Sequence, residues 1–234
     1  MKSGKKYTTK AKLVKPGNEY LIADAIKLLK QATFAKFDET IDLSIRLGID
    51  PKKSDQNVRG TVVLPSGTGK KVKIAVITKG EKVKEALAAG ADHAGSEDLI
   101  EKIMGGWMDF DMVLASPDMM AVAGKLGKVL GKIGLMPNPK AGTVAVDVAK
   151  AVKEFKGGKV EFKPDKAAII HLGIGKVSFG EKEISDNLYA ILDAISKAKP
   201  HGLKGQYIRS VYMSSTMGPG IKINYSKAIK ETQE

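Results

Sequence analysis

Residues 72–77 read VKIAVI, a short run dominated by apolar and β-branched side chains. Such a run is typical of a β-strand that is buried on both faces. Two further apolar strands are predicted at residues 112–115 and 143–146. Helices are predicted over residues 81–89, after a capping Ser96, from the sequence SPD at residues 116–118, and over residues 147–155. Because strand and helix alternate, this region predicts a parallel sheet with helices on both faces.

The sequence on either side of this region has a different pattern. Residues 40–48 (TIDLSIRLG) alternate apolar and polar side chains, which is typical of an antiparallel strand with one solvated face. The other short strands predicted in the flanks are residues 60–64, 159–162, 168–172, 207–213 and 220–224, and the helices are residues 21–31 and 183–198. We therefore expect an α+β domain that is assembled from both ends of the chain.

Clusters of helix- and strand-breaking residues separate the two patterns. The sequence PSGTG occupies residues 65–69, and Gly157 and Gly158 form the second cluster. These positions predict an α/β domain of residues 68–159 inserted into a discontinuous α+β domain of residues 1–67 and 160–234. Two glycine-containing crossings between the domains would also allow a hinge motion.

The composition points to a polyanionic partner. The chain has 234 residues, a formal net charge of +13 and 43% hydrophobic residues, so it combines a sizeable core with a strongly basic surface. Residues 1–67 carry +6 and residues 160–234 carry +3, so the discontinuous domain holds most of the excess. No apolar run reaches the roughly 18–20 residues of a membrane span, and the Lys-rich start lacks the apolar core of a signal peptide. We expect a cytoplasmic protein that binds nucleic acid and not a membrane.

No pattern in the chain predicts catalysis, a cofactor or a metal site. The turn after residues 72–77 lacks the G-x-G-x-x-G fingerprint of dinucleotide-binding enzymes. The sequence GTGK at residues 67–70 precedes its strand, and Lys71 stands where a phosphate loop has Ser or Thr. The absence of cysteine excludes disulfides and zinc–thiolate sites, and no metal-binding spacing surrounds the three histidines, His93, His171 and His201. A nucleotide-dependent enzyme and a nonspecific basic coat for nucleic acids stay as the alternatives.

Five ordered motifs carry a family resemblance. They are KFDET at residues 36–40, GIDPKKSDQNVRGT at 48–61, GWMDFD at 106–111, LMPNPKAGTV at 135–144 and STMGP at 215–219. In this order and spacing they resemble the L-one family of bacterial large-subunit ribosomal proteins, the stalk proteins of the large subunit. The resemblance extends from about residue 6 to residue 224.

The resemblance implies a fold and a function. It implies a discontinuous α+β domain with an inserted Rossmann-like, three-layer α/β domain, and no enzymatic activity. It also implies binding to large-subunit ribosomal RNA at the mobile stalk near the exit site, where such proteins assist release of deacylated transfer RNA. Binding to the messenger RNA of the protein's own operon, with repression of its translation, is a further implied role. The free protein is expected to be a monomer, and the bound protein to be ribosome-associated.

The resemblance also implies which residues bind RNA. They lie at the positions matching residues 36–40, 171–179 and 209–220. For a secondary contact, Lys132 and Lys140 are candidates that could bind phosphates or could belong to a solvated basic loop. The candidates of the main contact are Lys36, Phe37, Thr40, His171, Gly175, Lys176, Ser178, Arg209, Ser214, Ser215, Thr216, Met217 and Gly218.

The side chains at these positions suit RNA chemically. The hydroxyls of residues 214–216 can donate to and accept from ribose 2′-hydroxyls, and glycine at 218 lets main chain approach sugars. Lys176 can neutralise phosphate and Arg209 can bind it bidentately, although Arg209 could instead be an ordinary solvated strand residue. Phe37 is either a core anchor or a wedge against RNA, and the motif STMGP could serve only a tight turn.

Two acidic residues and one basic segment leave alternatives open. Asp38 and Glu39 would repel phosphate, so they either accept from 2′-hydroxyls or orient Lys36 and Arg209, and Glu39 could instead be solvated. The segment 124–134, with glycines and lysines interspersed, is either a helix that ends in a loose turn or a basic loop near phosphate. Lys132 and Ile133 stand where the family pattern has Pro and Arg, so the inserted domain lacks that guanidinium.

Overall fold

A computed structural model describes residues 4–15, 17–200, 202–203 and 205–225 of the chain. Among these residues, those up to Lys70 and those from Val160 onward form one compact unit, which we call the split unit. Residues Lys71–Lys159 form a second compact unit, which we call the central unit. No helix in the described part of the chain is both long enough and apolar enough to span a bilayer.

The helices and strands follow one another in an irregular mixture. In chain order they are α1 (Lys5–Ala11), α2 (Ile22–Ala32), β1 (Thr40–Leu47), β2 (Gly60–Val63), β3 (Ile74–Ile77), α3 (Glu81–Ala88), β4 (His93–Gly95), α4 (Glu97–Met104), β5 (Met112–Ala115), α5 (Met120–Ala123), α6 (Gly127–Ile133), α7 (Val148–Lys156), β6 (Lys159–Phe162), β7 (Ile169–Lys176), α8 (Glu181–Lys197), β8 (Ile208–Ser215) and β9 (Ile221–Ile223). The chain is therefore a mixed α/β protein, in agreement with the fold class that the sequence predicts.

A four-stranded antiparallel sheet with the order β7-β1-β8-β9 forms the centre of the split unit. Its central strand β1 alternates buried and outward-facing residues, as the sequence pattern of residues 40–48 predicts. The buried residues pack against apolar side chains of α2 and α8, and the resulting core includes Ile26, Leu29, Leu43, Ile45, Leu188 and Ile191. Strands β2 and β6 pair with each other in a separate two-stranded sheet.

The central unit contains a parallel three-stranded sheet with the order β4-β3-β5. All four residues of β3 are fully buried, and they contribute alternately to two separate apolar clusters. Ala75 and Ile77 pack with residues of α4 and α6, whereas Ile74 and Val76 pack with residues of α3 and α7. This arrangement explains why residues 72–77 show no alternation of polarity: both faces of the strand are covered.

Some local predictions for the central unit are wrong. Residues 143–146 do not form a strand, and Val144 makes only a single bridge to Ala115. The segment has no room for more pairing, because Gly142 turns the chain with a φ of 63° and Asp147 already caps α7. Ser96 precedes α4, but its side chain makes no capping hydrogen bond. The short strand β4 and, in the split unit, helix α1 are absent from the sequence prediction.

The glycine-lysine segment is helical over most of its length. Gly124–Leu126 forms a 3-10 turn that continues directly into α6, and the helix ends where Gly134 adopts a left-handed φ of 77°. The alternative of a basic loop is therefore wrong up to residue 133. Lys132 lies exposed in the last turn of α6, where a cation favourably meets the helix carbonyl end.

Candidate RNA-binding surface

Three distant segments of sequence meet at one end of the four-stranded sheet. Strand β1 begins at Thr40, which pairs with Lys176 at the end of β7. The next residue, Ile41, pairs with Ser215 at the end of β8. Residues 36–40, 175–178 and 214–218 are thus brought together, and we call this group the strand-end cluster. It unites eleven of the thirteen residues predicted for the main RNA contact.

A buried carboxylate lies at the centre of the strand-end cluster. The Glu39 side chain is only 1% exposed. Its Oε1 atom accepts hydrogen bonds from the backbone N–H groups of Ala35 at 3.1 Å and Phe34 at 3.4 Å, and its Oε2 atom accepts one from Met217 at 3.0 Å. The carboxylate therefore connects the segment before β1 to the turn after β8.

The environment of Glu39 favours its ionised form. Burial raises the pKa of the carboxyl, but the adjacent Ser215 hydroxyl and hydrogen bonds from three backbone N–H groups outweigh this effect, so the pKa lies below its ordinary value of 4.5. The proposal that Glu39 is solvated is wrong. It also does not orient Arg209, which lies at the other end of the sheet.

Asp38 holds the segment that follows β7. Its two carboxylate oxygens accept hydrogen bonds from the backbone N–H of Ser178 at 3.1 Å and from the Ser178 hydroxyl at 2.8 Å. Ser178 is exposed, but its hydroxyl hydrogen is directed to Asp38. Because it already donates its one hydrogen, the Ser178 hydroxyl can only accept a hydrogen bond from a ligand.

Two threonines and a lysine connect the three segments further. The Thr216 hydroxyl accepts a hydrogen bond from the Thr40 backbone N–H at 3.1 Å, and the Thr216 N–H donates to the Thr40 carbonyl at 3.0 Å. Lys176 Nζ donates to the Thr40 hydroxyl at 2.9 Å. The lysine ammonium is thereby held over the start of β1, at the rim of the cluster.

The outer surface of the cluster includes a cation, two apolar side chains and a hydroxyl, beside the exposed Asp38 and Ser178. Phe37 is 57% exposed and Met217 is 50% exposed. Lys36 and Thr216 are exposed beside them in sequence. Phe37 is therefore not a core anchor, and the alternative of an apolar contact on the surface is the one that agrees with the structure. Exposed apolar side chains supported by a rigid polar base are suited to packing against a ribose or a base.

Three small residues of the cluster have structural roles. Ser215 is 3% exposed, so its hydroxyl faces Glu39 and not a ligand, contrary to the expectation for this residue. A Cβ atom on Gly218 would collide with the Ser215 hydroxyl oxygen. A Cβ atom on Gly175 would lie 2.9 Å from the Phe179 ring. Both glycines are required for close packing under the surface, and Ser214 is partly exposed at its edge.

The structure places two predicted residues outside the cluster. His171 lies in the middle of β7, where its Nδ1 atom is 3.1 Å from the Ser44 hydroxyl oxygen. Arg209 is exposed near the start of β8, next to Gly48. Along a strand that rises about 3.3 Å per residue, it is roughly 20 Å from Thr216. In the central unit, Lys132 is exposed in α6, and the side chain of Lys140 lies outside the described part of the structure.

A comparison with protein-family models identifies the family. The model of the Ribosomal protein L1p/L10e family matches residues 28–219. The chain belongs to this family. The matched range contains the whole strand-end cluster and the whole central unit. As a member, the protein is a ribosome-associated constituent of the cytoplasm that binds ribosomal RNA, and it is not an enzyme.

The sequence reasoning missed the roles of two acidic residues in this family member. From the sequence, Glu39 is an acceptor for 2′-hydroxyls, a group that orients Lys36 and Arg209, or a solvated side chain, whereas in the structure it is the buried support of the surface. Its position just before a strand with alternating polarity is a weak signal, because the alternation places Ile41 inside and therefore Glu39 inside too. Asp42 has no distinguishing signal in the sequence, yet it lies on the outward face of β1, where burial raises the pKa of its carboxyl.

Proposed function

We propose that the strand-end cluster is the surface that binds the stalk region of large-subunit ribosomal RNA. In this proposal residues 1–67 and 160–234 act as the RNA-binding domain, and residues 68–159 act as an inserted second domain. Lys132 and Lys140 of the inserted domain provide a secondary contact with phosphates. The proposal also makes Lys36, Lys176 and the exposed hydroxyls the groups that contact the RNA backbone.

One observation carries the proposal. Phe37, Thr216 and Met217 project from segments that are tied to each other through Glu39 and through the Thr40–Thr216 hydrogen bonds. Exposed apolar side chains on a fixed polar base are unnecessary for folding, but they form a preorganised contact surface. RNA helices are read largely by shape and through 2′-hydroxyls, so a rigid surface with short hydroxyls fits that ligand.

The same surface would serve the regulatory role. A messenger RNA that presents the shape of the stalk would bind the cluster in competition with ribosomal RNA, and the protein would thereby repress translation of its own operon. Assistance in the release of deacylated transfer RNA at the exit site would follow from the position of the stalk. Before it joins the ribosome, the protein is proposed to be a monomer.

The proposal is tested by RNA binding across a salt series. A stalk fragment of large-subunit RNA is compared with a scrambled RNA of equal length, using the wild type and the variants Thr216→Val and Met217→Ala. We expect tighter binding of the stalk fragment that persists at higher salt and is lost in both variants. Thr8→Val, in the exposed part of α1, is the matched control and is expected to bind like the wild type.

The outcomes separate specific from nonspecific binding. Electrostatic attraction alone gives both RNAs similar affinities and one steep salt dependence. If both RNAs bind alike and the variants have no effect, the cluster is not the binding surface. A competition experiment with the operon messenger RNA then tests the regulatory role, because a shared site requires mutual exclusion of the two RNAs.

A further inference from the structure

The four-stranded sheet of the split unit presents one polar face outward. Along β1 the residues Ile41, Leu43, Ile45 and Leu47 point into the core, so the intervening residues point away from it. We call the outward face of the four strands the open face, and its side chains include Thr40, Asp42, Ser44, Arg46, His171, Tyr212, Ser214 and Lys222.

The strand register aligns one row of side chains across the whole open face. Ser44 pairs with His171 on β7 and with Tyr212 on β8. Tyr212 in turn pairs with Lys222 on β9. Directly paired residues have Cβ atoms about 4.5–5.5 Å apart, so the four side chains form a continuous row. The imidazole of His171 is held in this row through its contact with the Ser44 hydroxyl at 3.1 Å.

Tyr212 is the aromatic residue of this row, and it is 42% exposed. Its neighbours in β8, Val211 and Met213, are fully buried, so the exposure belongs to the side chain and not to a loose segment. Glycine at position 220 lies against the edge of the ring, with 4.0 Å between ring carbon Cδ1 and the place of a Cβ atom. An aromatic ring fixed on an open antiparallel sheet is the kind of platform on which proteins stack unpaired bases.

Asp42 lies one row nearer to the strand-end cluster. It pairs with Gly173 on β7 and with Ser214 on β8, so small residues flank it on both sides. Tyr212 is its diagonal neighbour, at about 7–8 Å, which is within reach of one nucleotide base. The carboxylate is an acceptor for N–H donors, and among its surroundings are the positive charges of Lys176 and, when protonated, His171.

The charge distribution on this face suits a nucleotide. A carboxylate repels a phosphate, so Asp42 is misplaced for backbone contact but correctly placed for the hydrogen-bonding edge of a base. Exposed Arg46 lies one row beyond Ser44, on the side away from Asp42. An arginine there can bind a phosphate while the base points toward Asp42.

We propose that the open face binds an unpaired RNA nucleotide, whose base stacks on Tyr212 and donates an N–H hydrogen bond to Asp42. The phosphate of this nucleotide contacts Arg46. The inference rests on the proposed function, because the RNA that enters the open face is the continuation of the RNA held by the strand-end cluster. In addition to recognising the shape of the RNA, the protein would then bind one unpaired base that is turned out of the RNA stack.

The test uses abasic substitution in the stalk fragment. One RNA keeps all its unpaired bases, and a series of others has a single unpaired base removed at each position in turn. Tyr212→Ser is expected to weaken binding of the intact RNA roughly 5- to 150-fold, the range that corresponds to stacking of one base on an aromatic ring. Tyr212→Phe is expected to retain wild-type affinity. Tyr7→Ser removes another exposed tyrosine of the same unit as the matched control.

One abasic position should cancel the effect of Tyr212→Ser, because the ring then has no base to contact. Asp42→Asn gives an independent readout. Because its neutral amide oxygen is a weaker acceptor than a carboxylate, it should weaken binding of every RNA that keeps the contacted base and have no such effect on the RNA that lacks this base. The mere loss of a negative charge would instead strengthen binding of every RNA. Melting temperatures of all variants establish that the fold is retained.

The outcomes distinguish this inference from the proposed function. If Thr216→Val weakens binding but Tyr212→Ser behaves like Tyr7→Ser with every RNA, the open face does not bind a base and the cluster still does. If Thr216→Val has no effect, the proposed function itself fails. Strengthened binding by Asp42→Asn to all RNAs would also overturn the assignment of Asp42.

Discussion

The Glu39 carboxylate accepts a hydrogen bond from the Met217 backbone N–H at 3.0 Å, although the two residues are 178 positions apart in the sequence. Met217 is half exposed, whereas Glu39 is buried. The position of an exposed apolar side chain is therefore set by a carboxylate beneath it. Under the proposed function, stability and RNA binding are therefore coupled through this one hydrogen bond.

Replacement of the carboxylate should reduce both properties. Glu39→Gln retains one accepting oxygen, but its NH₂ group cannot accept from a backbone N–H, so at least one buried donor is left unpaired. We expect a loss of about 1–3 kcal/mol in the free energy of unfolding, measured by urea denaturation, together with weaker binding of the stalk fragment. Asp55→Asn, at an exposed site, should have neither effect; an equally stable Glu39→Gln protein would contradict the role of Glu39.

The free energy of unfolding should also depend on pH through the ionisation of Glu39. Because the folded pKa of this carboxyl is below its ordinary value of 4.5, the carboxylate stabilises the fold above about pH 4.5. That contribution is lost as the pH falls through the folded pKa. Other carboxyls titrate as well, so the informative quantity is the difference in unfolding free energy between the wild type and Glu39→Gln. This difference should shrink below pH 4.5 and be constant between pH 6 and pH 8; a constant difference throughout would refute it.

The packing of Gly218 against Ser215 predicts a coupled pair of substitutions. Gly218→Ala introduces a Cβ atom that collides with the Ser215 hydroxyl, and we expect it to destabilise the protein by about 1–3 kcal/mol. Ser215→Ala removes the colliding oxygen, so the double variant should be more stable than the sum of the single effects implies. Gly220→Ala, with only an ordinary contact at 4.0 Å, is the control. Thermal denaturation of the four variants measures the coupling, and strict additivity would exclude the collision.

Alanine substitutions of two phenylalanines in the split unit should have contrasting effects: one should weaken RNA binding with little change in stability, and the other should destabilise the fold. Phe37→Ala removes a ring that is 57% exposed, so the free energy of unfolding should change by less than about 0.5 kcal/mol, while RNA affinity falls. Phe162→Ala removes a buried ring and should cost about 3–5 kcal/mol of stability. Denaturation and RNA titration of both variants check this contrast. A large loss of stability in Phe37→Ala would contradict the exposed position of this ring.

Lys176 should contribute to the salt dependence of binding. Lys176→Gln removes a cation at the rim of the cluster, and we expect the slope of log affinity against log salt to decrease by about 1. Lys182→Gln on the exposed surface of α8 removes the same charge and should leave the slope unchanged. Equal effects of both substitutions would mean that only the overall charge of the protein matters.

The sequence predicts the elements of this fold better than their assembly. The alternation in residues 40–48 and the apolar run in residues 72–77 correctly identify β1 and β3, because each reports how many faces of the strand are buried. The bulge between Ile41 and Asp42 is not visible in such patterns, since it depends on how β7 pairs with β1.

The sequence predicts which residues belong to the candidate site, but not which of their side chains are buried and which are exposed. Family resemblance named Ser215 and Thr216 alike, whereas the pleat of β8 buries the first and exposes the second. Likewise Asp38 and Glu39 are adjacent acidic residues that look equivalent in sequence. One binds Ser178 at the surface and the other is buried, because neighbouring residues at a strand start face opposite sides.

The position of β1 between β7 and β8 also constrains when the protein can acquire its function. Thr40 and Lys176, which meet in the strand-end cluster, are 136 residues apart, so β1 emerges during synthesis long before either partner strand exists. The elements of the central unit are contiguous and can pair as soon as they are made, while the sheet of the split unit must wait for residue 215. A nascent chain would consequently carry a folded central unit before the strand-end cluster exists. The strand-end cluster would form only after residues 214–218 have been synthesised.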